Sequence, residues 1–571
     1  MIMNKIISLL IKQYKIIIIV IILLIIEAYF TLALPEYTAN IIDIGIKNAD
    51  MPYIYDAGKN MLIAAALAMI SVMFTYFLSI RVTSKFAGDL RKNILSRALT
   101  FSNNELNEIS KSSLITRTTH DVSNIQIFIR IFLTNILYAP ILAVGGIMKI
   151  IQLGIDLYWI VVLVLLLAIF VLIIILAKVM PKFRKLQKIR DNINRNAREM
   201  LIGAPIIKIF VRQDYERNKL KKTNNYFKDT EINANKYYNL ISPGLTLVMS
   251  LMVVGIIFHG SFEIQNGTLL SGDLVAFIQY STQITSSLFL VINALIMLPN
   301  FIVSFNRVND VFNTEITIRE GSIETVDNDK STIEFKNVSF QYPQSEKDIL
   351  TNINFKLEPG KTTAIIGGTG SGKSTILNLI PRLQDPSSGE ILLNGENIKN
   401  FKLNALREQI SFSPQKAKLF AGTIRTNMNL TDDNTSDEDI KKALTNANVN
   451  FIDGLNDEVT QDGSNFSGGQ KQRISIARTM LKKSGFYIFD DCFSALDMNT
   501  EKIIKNNLNY LNDASILIVS QRISTIKDAD EILVLDKGMI VDRGRHEELV
   551  ESSKIYQEIL ESQQGTLQGG I

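Results

Sequence analysis

Two segments in the C-terminal half of the chain carry residue types that bind phosphate and magnesium. The first is a glycine-rich loop between an apolar strand, 363–366, and an apolar helical segment. In this context glycines let backbone N–H groups converge on phosphates, and the helix N-terminus adds partial positive charge. Lys373 is predicted to reach the β- and γ-phosphates of a nucleotide, and Ser374 to ligate Mg²⁺. The predicted phosphate-binding residues are Gly367, Gly368, Thr369, Gly370, Ser371, Gly372, Lys373, Ser374 and Thr375.

The second segment is the apolar strand 486–489, which is followed by two acidic residues, Asp490 and Asp491. Asp490 is predicted to hold Mg²⁺ through water. By itself this is weak support, because many strands of α/β proteins end in aspartate. Between the two segments, residues 467–470 read Ser-Gly-Gly-Gln and precede a basic helical stretch, 471–478. A serine and two glycines at a helix start again offer N–H groups to phosphate.

Six apolar stretches in the first half of the chain must be accommodated by the fold. A helix needs about 20 apolar residues to cross a bilayer, so we predict six spanning helices. Buried helices of a soluble core are the alternative, which fits such long and frequent uncharged stretches poorly. Residues 2–13 are predicted to form a short helix along the inner interface. The predicted spans are residues 16–34, 61–80, 131–151, 157–177, 240–258 and 274–305.

The basic residues are distributed unevenly between the loops. Segment 181–239 carries fifteen Lys and Arg and segment 81–126 carries seven, whereas loops 152–156 and 259–273 carry none. Positive segments stay in the cytoplasm. The bias therefore predicts a multi-pass protein of the plasma or inner membrane with both termini and both long loops cytoplasmic, and it does not indicate a nucleic-acid partner. The single cysteine, Cys492, excludes intramolecular disulfides and cysteine-based metal sites.

Hydropathy falls after about residue 305, and the predicted organisation follows from this change. Residues 1–312 form a helical membrane domain, and polar residues 313–331 form a linker. Strands alternate with helical segments over 332–563, which predicts one α/β domain with a largely parallel sheet. An acidic loop there leads to a helix capped by Thr435 or Ser436. Residues 564–571 are predicted to be a disordered tail.

Together these motifs resemble the ATP-binding cassette (ABC) transporter family, and the resemblance covers the whole chain. Phe466 followed by residues 467–470 is similar to the family signature Leu-Ser-Gly-Gly-Gln, with Phe at the apolar position. Tyr342 matches the aromatic residue that stacks on adenine, although an ordinary strand aromatic would look the same. Gln415 matches the glutamine that senses Mg²⁺ and contacts the membrane half, and residues 494–497 match the D-loop. The resemblance implies ATP and Mg²⁺ as cofactors, with signature residues Ser467, Gly468, Gly469 and Gln470.

The order of domains is similar to that of an exporter half-transporter (type IV fold): six spanning helices, then an α/β P-loop cassette. In that family two cassettes close head to tail, so that each ATP lies between one P-loop and the other chain's signature. One cassette per chain therefore implies a dimer.

Two positions depart from a hydrolytically competent cassette of this family. Asp491 stands where the water-activating glutamate is expected, and Gln521 stands where the switch histidine is expected. The shorter side chain withdraws the carboxylate by about 1–1.5 Å, and an amide cannot become cationic. With its signature intact, the chain resembles the impaired-site subunit of heterodimeric bacterial multidrug exporters. Full activity with tolerated variants, or a slow homodimer, is the alternative.

The predicted function is therefore ATP-driven export of hydrophobic or amphipathic small molecules. A nucleotide-gated channel or regulatory subunit, and an importer on the exporter fold, remain alternatives. The resemblance also implies coupling near residues 103–108 and 212–216, with a simple solvated helix surface as the alternative.

The substrate path is harder to read from the sequence. Glu27 lies within the first span, where a carboxylate is a functional candidate by default. A hydrogen bond between helices, or a position near the outer interface, would explain it too. Polar residues of the last span fit either a cavity lining or interhelical hydrogen bonding: Gln279, Tyr280, Thr282, Gln283 and Asn293.

Overall fold

The computed structural model describes residues 3–153, 157–326, 332–343, 345–432, 435–511 and 513–568. The chain forms two compact units. The first comprises Met1–Arg97 and Ser112–Asn313, and the second comprises Ala98–Lys111 and Thr314–Ile571.

The first unit is helical. Short π-helical segments follow α2, precede α6 and precede α7, at Ile41–Ile46, Arg117–Asp121 and Phe132–Ile136. The α-helices of residues 1–313, of which α4 belongs to the second unit, are α1 Met3–Ile11, α2 Tyr14–Asn40, α3 Met51–Leu99, α4 Asn103–Ile109, α5 Lys111–Thr116, α6 Val122–Ile131, α7 Tyr138–Gln152, α8 Tyr158–Ile202, α9 Ala204–Ile209, α10 Gln213–Tyr238, α11 Ile241–Gln265 and α12 Ser271–Asn313.

Five helical segments among the described residues are long and apolar enough to cross a membrane. They coincide with five of the six predicted spans. The other predicted span falls on α8, whose described apolar part, Tyr158–Phe170, is shorter. The five segments are Tyr14–Ile46, Met51–Leu99, Lys111–Gln152, Gln213–Gln265 and Ser271–Asn313.

Helix α12 is central to this unit, because it packs against α2, α6, α7 and α11. Helix α2 also packs against α7, and it buries one stripe of side chains spaced by three or four residues, as expected for a helix that faces neighbours on one side. That stripe consists of Val20, Leu24, Ala28, Leu32, Pro35 and Ala39.

The second unit combines a six-stranded and a four-stranded sheet with short helices. The strands are β1 Ile333–Phe340, β2 Leu350–Leu357, β3 Thr362–Ile366, β4 Ser388–Leu393, β5 Glu396–Asn397, β6 Ile410–Ser413, β7 Gly422–Thr423, β8 Glu458–Val459, β9 Phe486–Asp490, β10 Ser515–Val519, β11 Glu531–Asp536 and β12 Met539–Gly544. The helices are α13 Lys373–Leu379, α14 Leu403–Glu408, α15 Ile424–Met428, α16 Asp437–Asn446, α17 Gly468–Leu481, α18 Met498–Leu508, α19 Ile523–Ile526, α20 His546–Ser552 and α21 Lys554–Gln568.

The larger sheet has the order β12-β11-β3-β10-β9-β6, and all its pairs are parallel except β11 with β12. Strands β9 and β10 are buried along nearly their whole length, as expected for parallel strands covered on both faces. The smaller sheet, β2-β1-β4-β5, is antiparallel. The α/β architecture predicted for this half is confirmed.

Three segments that the sequence singled out can be located in the second unit. Ser436 caps α16, because its side chain accepts a hydrogen bond from the Asp439 amide. Within the segment that the sequence predicts to be a linker, Ile323 forms a parallel β-bridge with Phe401, while residues 327–331 lie outside the described part. The predicted disordered tail is wrong for its first residues, because α21 continues to Gln568; residues 569–571 lie outside the described part.

Candidate functional site

The predicted site residues follow the ends of four adjacent parallel strands. Val519 of β10 lies in register with Ile365 of β3 and with Asp490 of β9, and Ser413 of β6 lies in register with Phe489. The carboxyl ends of these strands therefore form one edge, where α/β sheets bind ligands. The segments that leave this edge carry the P-loop, Gln521, Asp491 and Gln415.

The loop 367–372 closes tightly against its neighbours. A Cβ atom on Gly367 would lie 2.1 Å from the Leu535 carbonyl oxygen, and Gly372 has a φ of +105°. Both positions therefore require glycine. Ser371 and Thr375 are buried, whereas Gly368, Thr369, Gly370 and Ser374 are exposed. The exposed members are open to a ligand.

Lys373 lies inside this loop. Its ammonium group donates hydrogen bonds to the carbonyl oxygens of Gly367, at 2.8 Å, and Gly368, at 2.7 Å. Burial lowers the pKa of Lys373, and the carboxylates of Asp491 and Asp490 oppose that shift. The lysine and both aspartates therefore influence one another electrostatically.

The carboxylates of Asp490 and Asp491 interact both with the positive charge of Lys373 and with each other. Burial and the neighbouring Asp491 carboxylate raise the pKa of Asp490 to about 6, against the opposing effect of Lys373. A second carboxylate this close favours proton uptake unless a cation is bound. The pair is thus suited to a divalent ion.

Asp491 is held in an uncommon backbone conformation. Its φ is +45°, its amide donates to the Val519 carbonyl at 2.8 Å, and its carbonyl accepts from the Ser494 hydroxyl at 2.7 Å. One carboxylate oxygen, Oδ2, accepts from the Gln415 side-chain amide at 3.3 Å. The other, Oδ1, is buried and has no hydrogen-bond partner among the described residues. It can accept a hydrogen bond from a water molecule.

Gln521 is exposed, and its surroundings contain contacts that the motifs do not reveal. Its carbonyl accepts a hydrogen bond from the Gln563 side chain at 2.7 Å. The Arg522 guanidinium donates to the Ser494 carbonyl at 3.1 Å and so ties this strand end to the D-loop. Because these partners are distant in sequence, local spacing gave no signal for them.

The signature segment begins helix α17. Ser467 accepts from the Gln470 amide, and the Gln470 side chain accepts from the Ser467 amide at 2.8 Å, which forms a capping box. Ser467 and Gly468 are exposed, and a Cβ atom on Gly469 would lie 3.1 Å from the Ala495 carbonyl oxygen. Among the described residues no hydrogen bond joins this segment to loop 367–374. The N-terminal end of α17 is therefore not hydrogen-bonded to this chain's own phosphate-binding loop within the described part.

Tyr342 follows strand β1 and is half-buried. Its ring packs edge-to-face against Phe340, with the ring centres 4.9 Å apart. Packing against the buried Phe340 fixes the position of the Tyr342 ring. The part of the ring that remains exposed could stack on a base.

These residues fit MgATP. The loop glycines and Lys373 suit phosphates, and the free oxygen of Asp491 suits a water molecule. No group of three His, Cys, Asp or Glu side chains in the described ranges could hold a metal ion. A Mg²⁺ at Ser374, Gln415 and Asp490 would therefore take its remaining ligands from phosphate and water.

Comparison with known proteins agrees with this geometry. Residues 350–494 match the family model described as ABC transporter, and residues 17–288 match the ABC transporter transmembrane region. The chain is 35% identical over 571 residues, 99% of each chain, to the uncharacterized ABC transporter ATP-binding protein YfiB of Bacillus subtilis (strain 168).

Two further similarities concern export. The chain is 32% identical over 390 residues to the putative multidrug export ATP-binding/permease protein YgaD of the same organism, covering 66% of this chain and 67% of that one. A bacterial Atm1-family ABC exporter solved with ATP bound shares the fold, with a TM-score of 0.83, 24% identity and coverage of 96% and 98%.

Proposed function

The chain belongs to the ABC transporter family, and on this premise we propose that it is one subunit of an ATP-driven exporter whose own ATP site is weakly hydrolytic. We call the site made by this chain's P-loop, Asp491 and Gln521 the degenerate site. In this assembly the degenerate site holds ATP without hydrolysing it rapidly. The second site, built on the partner's P-loop, hydrolyses its own ATP. The chain contributes to both, because it lends its signature to the partner.

The observation that carries the proposal is the position of Asp491. Its carboxylate lies beside Lys373 and Gln415 at the strand edge, where the water-activating group of the family is expected. A carboxylate on a side chain one methylene shorter stands about 1–1.5 Å further from the water, and a misplacement of this size costs about 100-fold in rate. Gln521 adds a second deficit, because its amide can donate to the γ-phosphate but cannot carry a positive charge.

The exposed signature supports a dimer. Gly468 presents an N–H group and Ser467 a hydroxyl at the start of α17, yet neither residue forms a described hydrogen bond with this chain's P-loop. A second ABC half-transporter that closes head to tail would place its nucleotide there. A heterodimer would explain why this chain lacks the usual hydrolytic residues but keeps an intact signature. A homodimer is the alternative arrangement.

The cargo class is proposed from the relatives and the apolar spans. YgaD is described as a putative multidrug export protein, and the helices of the first unit expose large apolar side chains along their length. We therefore assign hydrophobic or amphipathic small molecules as cargo. The protein is a multi-pass protein of the plasma membrane, with both termini and the ATP-binding domain cytoplasmic.

Helix α4 is the proposed point of coupling in the first cytoplasmic loop. It belongs to the second unit, where the Asn103 amide donates to the Leu383 carbonyl at 3.5 Å and the Gln384 side chain donates to Asn104 at 3.1 Å. The carboxylate of the buried Glu105 accepts two hydrogen bonds from Thr317. One comes from the Thr317 amide at 3.2 Å and the other from the Thr317 hydroxyl at 2.6 Å. One helical turn of the loop is thereby fixed to the segment that precedes the cassette.

Glu105→Gln is expected to loosen this attachment at neutral pH. Burial alone would raise the pKa of Glu105, but hydrogen bonds from Ser102 and Thr317 outweigh it and lower the pKa. The stabilisation is therefore present above the unfolded pKa of about 4.3 and is lost as the pH falls through the folded value. The free energy of local opening, measured by hydrogen exchange at the Ser102 and Thr317 amides, should be lower in the variant than in the wild type by about 1.5–3 kcal/mol at pH 7. This difference between the two proteins should shrink below pH 4.

Glu108→Gln is the matched control, because Glu108 is an exposed carboxylate on the same helix and should change exchange little. Equal effects of the two variants, or a Glu105 effect that does not depend on pH, would show that the charge of Glu105 does not hold α4 in place.

The overall proposal is tested by purifying the full-length chain from its own cells. A second half-transporter is expected to copurify, and inside-out vesicles are expected to take up a fluorescent amphiphile when ATP is added. A homogeneous preparation of this chain that turns over ATP near the enzyme median of about 10 s⁻¹ would exclude the degenerate site. An ATP-dependent current without uptake would indicate a channel, and outward movement of the dye from the vesicles an importer.

A further inference from the structure

The C-terminal helix α21 is hydrogen-bonded to the segment that carries Gln521. The side-chain amide of Gln563 on α21 makes two bonds to this segment: its nitrogen donates to the Gln521 carbonyl at 2.7 Å, and its oxygen accepts from the Ile523 amide at 3.0 Å. Both ends of one amide group are therefore used, and the backbone is held on either side of Arg522. We call this pair of hydrogen bonds the Gln563 clamp.

The clamp completes the start of helix α19. This helix begins at Ile523, and the first N–H groups of a helix have no partner within it. The residue before it, Arg522, forms no side-chain cap. Gln563, 40 residues away in sequence, supplies the missing acceptor. The position of the segment therefore depends on a side chain from another helix.

Helix α21 is anchored in the core of the second unit. Tyr556 is fully buried there, and Ile559 and Leu560 pack against the same cluster, which also contains Ile523. Residues three or four apart lie on the same face of a helix. The half-buried Gln563 therefore continues the buried face of α21, and its side chain is presented by a packed element.

The segment is also held on the side away from α21. The Arg522 guanidinium donates to the Ser494 carbonyl at 3.1 Å, and the Arg522 amide donates to the Ser520 hydroxyl at 3.0 Å. Together with the clamp, these bonds fix the backbone around Gln521. The side chain of Gln521 is exposed, so its amide group is open to a ligand.

We propose that Gln563 is a positioning residue for Gln521, because its clamp holds the backbone where the Gln521 amide meets the γ-phosphate of bound ATP. The inference rests on the γ-phosphate contact of the proposed degenerate site. A neutral amide binds phosphate only at hydrogen-bond distance, whereas the charge of a histidine would act over a longer range. With glutamine at this position, the preference of the site for ATP over ADP, which lacks the γ-phosphate, depends on the clamp.

The test compares the Kd of MgATP with the Kd of MgADP at this chain's own site. The full-length chain in its purified assembly is photolabelled with azido-ATP on ice, unlabelled MgATP or MgADP competes, and this chain is isolated on a gel. Gln563→Leu, which removes both hydrogen bonds, is expected to raise the Kd of MgATP about tenfold and to leave that of MgADP unchanged. A hydrogen bond to a charged group changes Kd by about ten- to a hundredfold, and the variant loosens this bond without deleting it.

Gln557→Leu is the matched control. Gln557 lies on the same helix, and its side-chain nitrogen donates to the Val550 carbonyl at 2.6 Å, so its loss should leave both dissociation constants unchanged. A purely structural role of Gln563 would weaken binding of MgATP and MgADP alike and would overturn the proposal. If Gln563→Leu fails to accumulate, Gln563→Glu keeps the length and the acceptor but lacks the donor. It should also lower the preference for MgATP, and an unchanged preference would refute the clamp.

Gln521→Ala separates the clamp from the proposed function. In this background Gln563→Leu should have no further effect, because the two residues act through one contact and their effects are not additive. A further tenfold loss would show that Gln563 acts elsewhere. A Gln521→Ala variant that keeps the full preference for MgATP would contradict the γ-phosphate contact itself. Loss of the preference with Gln521→Ala but not with Gln563→Leu would contradict only the clamp.

Discussion

Replacing Asp491 with glutamate and Gln521 with histidine is expected to speed hydrolysis of the ATP bound to this chain by about 100-fold. The glutamate carries its carboxylate about 1–1.5 Å further from strand β9, towards the water that the family activates there, and a correction of about 1 Å is worth about 100-fold. The histidine restores a side chain that can become cationic beside the γ-phosphate. Neither change touches the P-loop, so ATP affinity should stay within a few-fold.

Photocrosslinking makes this measurement specific to the degenerate site. An azido-ATP with a labelled γ-phosphate is attached to this chain, which is separated from any partner on a gel. Loss of the label over time then reports hydrolysis at this site alone. In the wild type the label should persist for many turnovers of the assembly, whereas in the double variant it should decay at the rate of the whole assembly.

Asp491→Asn combined with Gln521→His is the control, because asparagine has the shape of aspartate without its charge. It should hydrolyse no faster than the wild type. If the wild type already loses its label as fast as the assembly turns over, Asp491 and Gln521 are tolerated variants and the division of labour between two sites is wrong.

The motifs of the proposed nucleotide site could be recognised in the sequence because each of them is local. The glycine loop, the acidic strand end and the Ser-Gly-Gly-Gln segment are each contiguous, and parallel strands bring their carboxyl ends to one edge once the sheet forms. The register of Val519 with Asp490 makes this explicit. The strand order that brings Lys373 near Asp490 and Asp491 comes from the structure and not from these motifs.

Contacts between segments far apart in sequence could not be predicted in this way. The Arg522 guanidinium reaches the Ser494 carbonyl across the strand edge, and Glu105 meets Thr317; spacing carries no information about either pair. The same holds for Glu27. The sequence marked this residue as unusual, but only the packing of α2 against α7 shows that Glu36, rather than Glu27, forms the ion pair with Lys149.

Ser467→Asp is expected to reduce steady-state ATP turnover of the purified assembly by about 100-fold, even though it lies outside this chain's own P-loop. Aspartate is as good a helix N-cap as serine, so α17 should keep its start. Its carboxylate would face the γ-phosphate of the partner's nucleotide and repel the charge that grows there during hydrolysis. Removing one such stabilising donor typically costs 100–1,000-fold.

Ser467→Asn and Lys373→Ala supply the two comparisons that give this result its meaning. Asparagine caps the helix and matches aspartate in size but carries no charge. The ATP turnover of Ser467→Asn should therefore fall by only about tenfold, and the further fall in Ser467→Asp would be due to the negative charge. Lys373→Ala weakens ATP binding at the degenerate site, which does little of the turnover, so the rate should fall only a few-fold. A larger loss with Lys373→Ala than with Ser467→Asp would mean that this chain's own site drives hydrolysis. Equal losses would indicate a homodimer, because each chain would then supply both halves of every site.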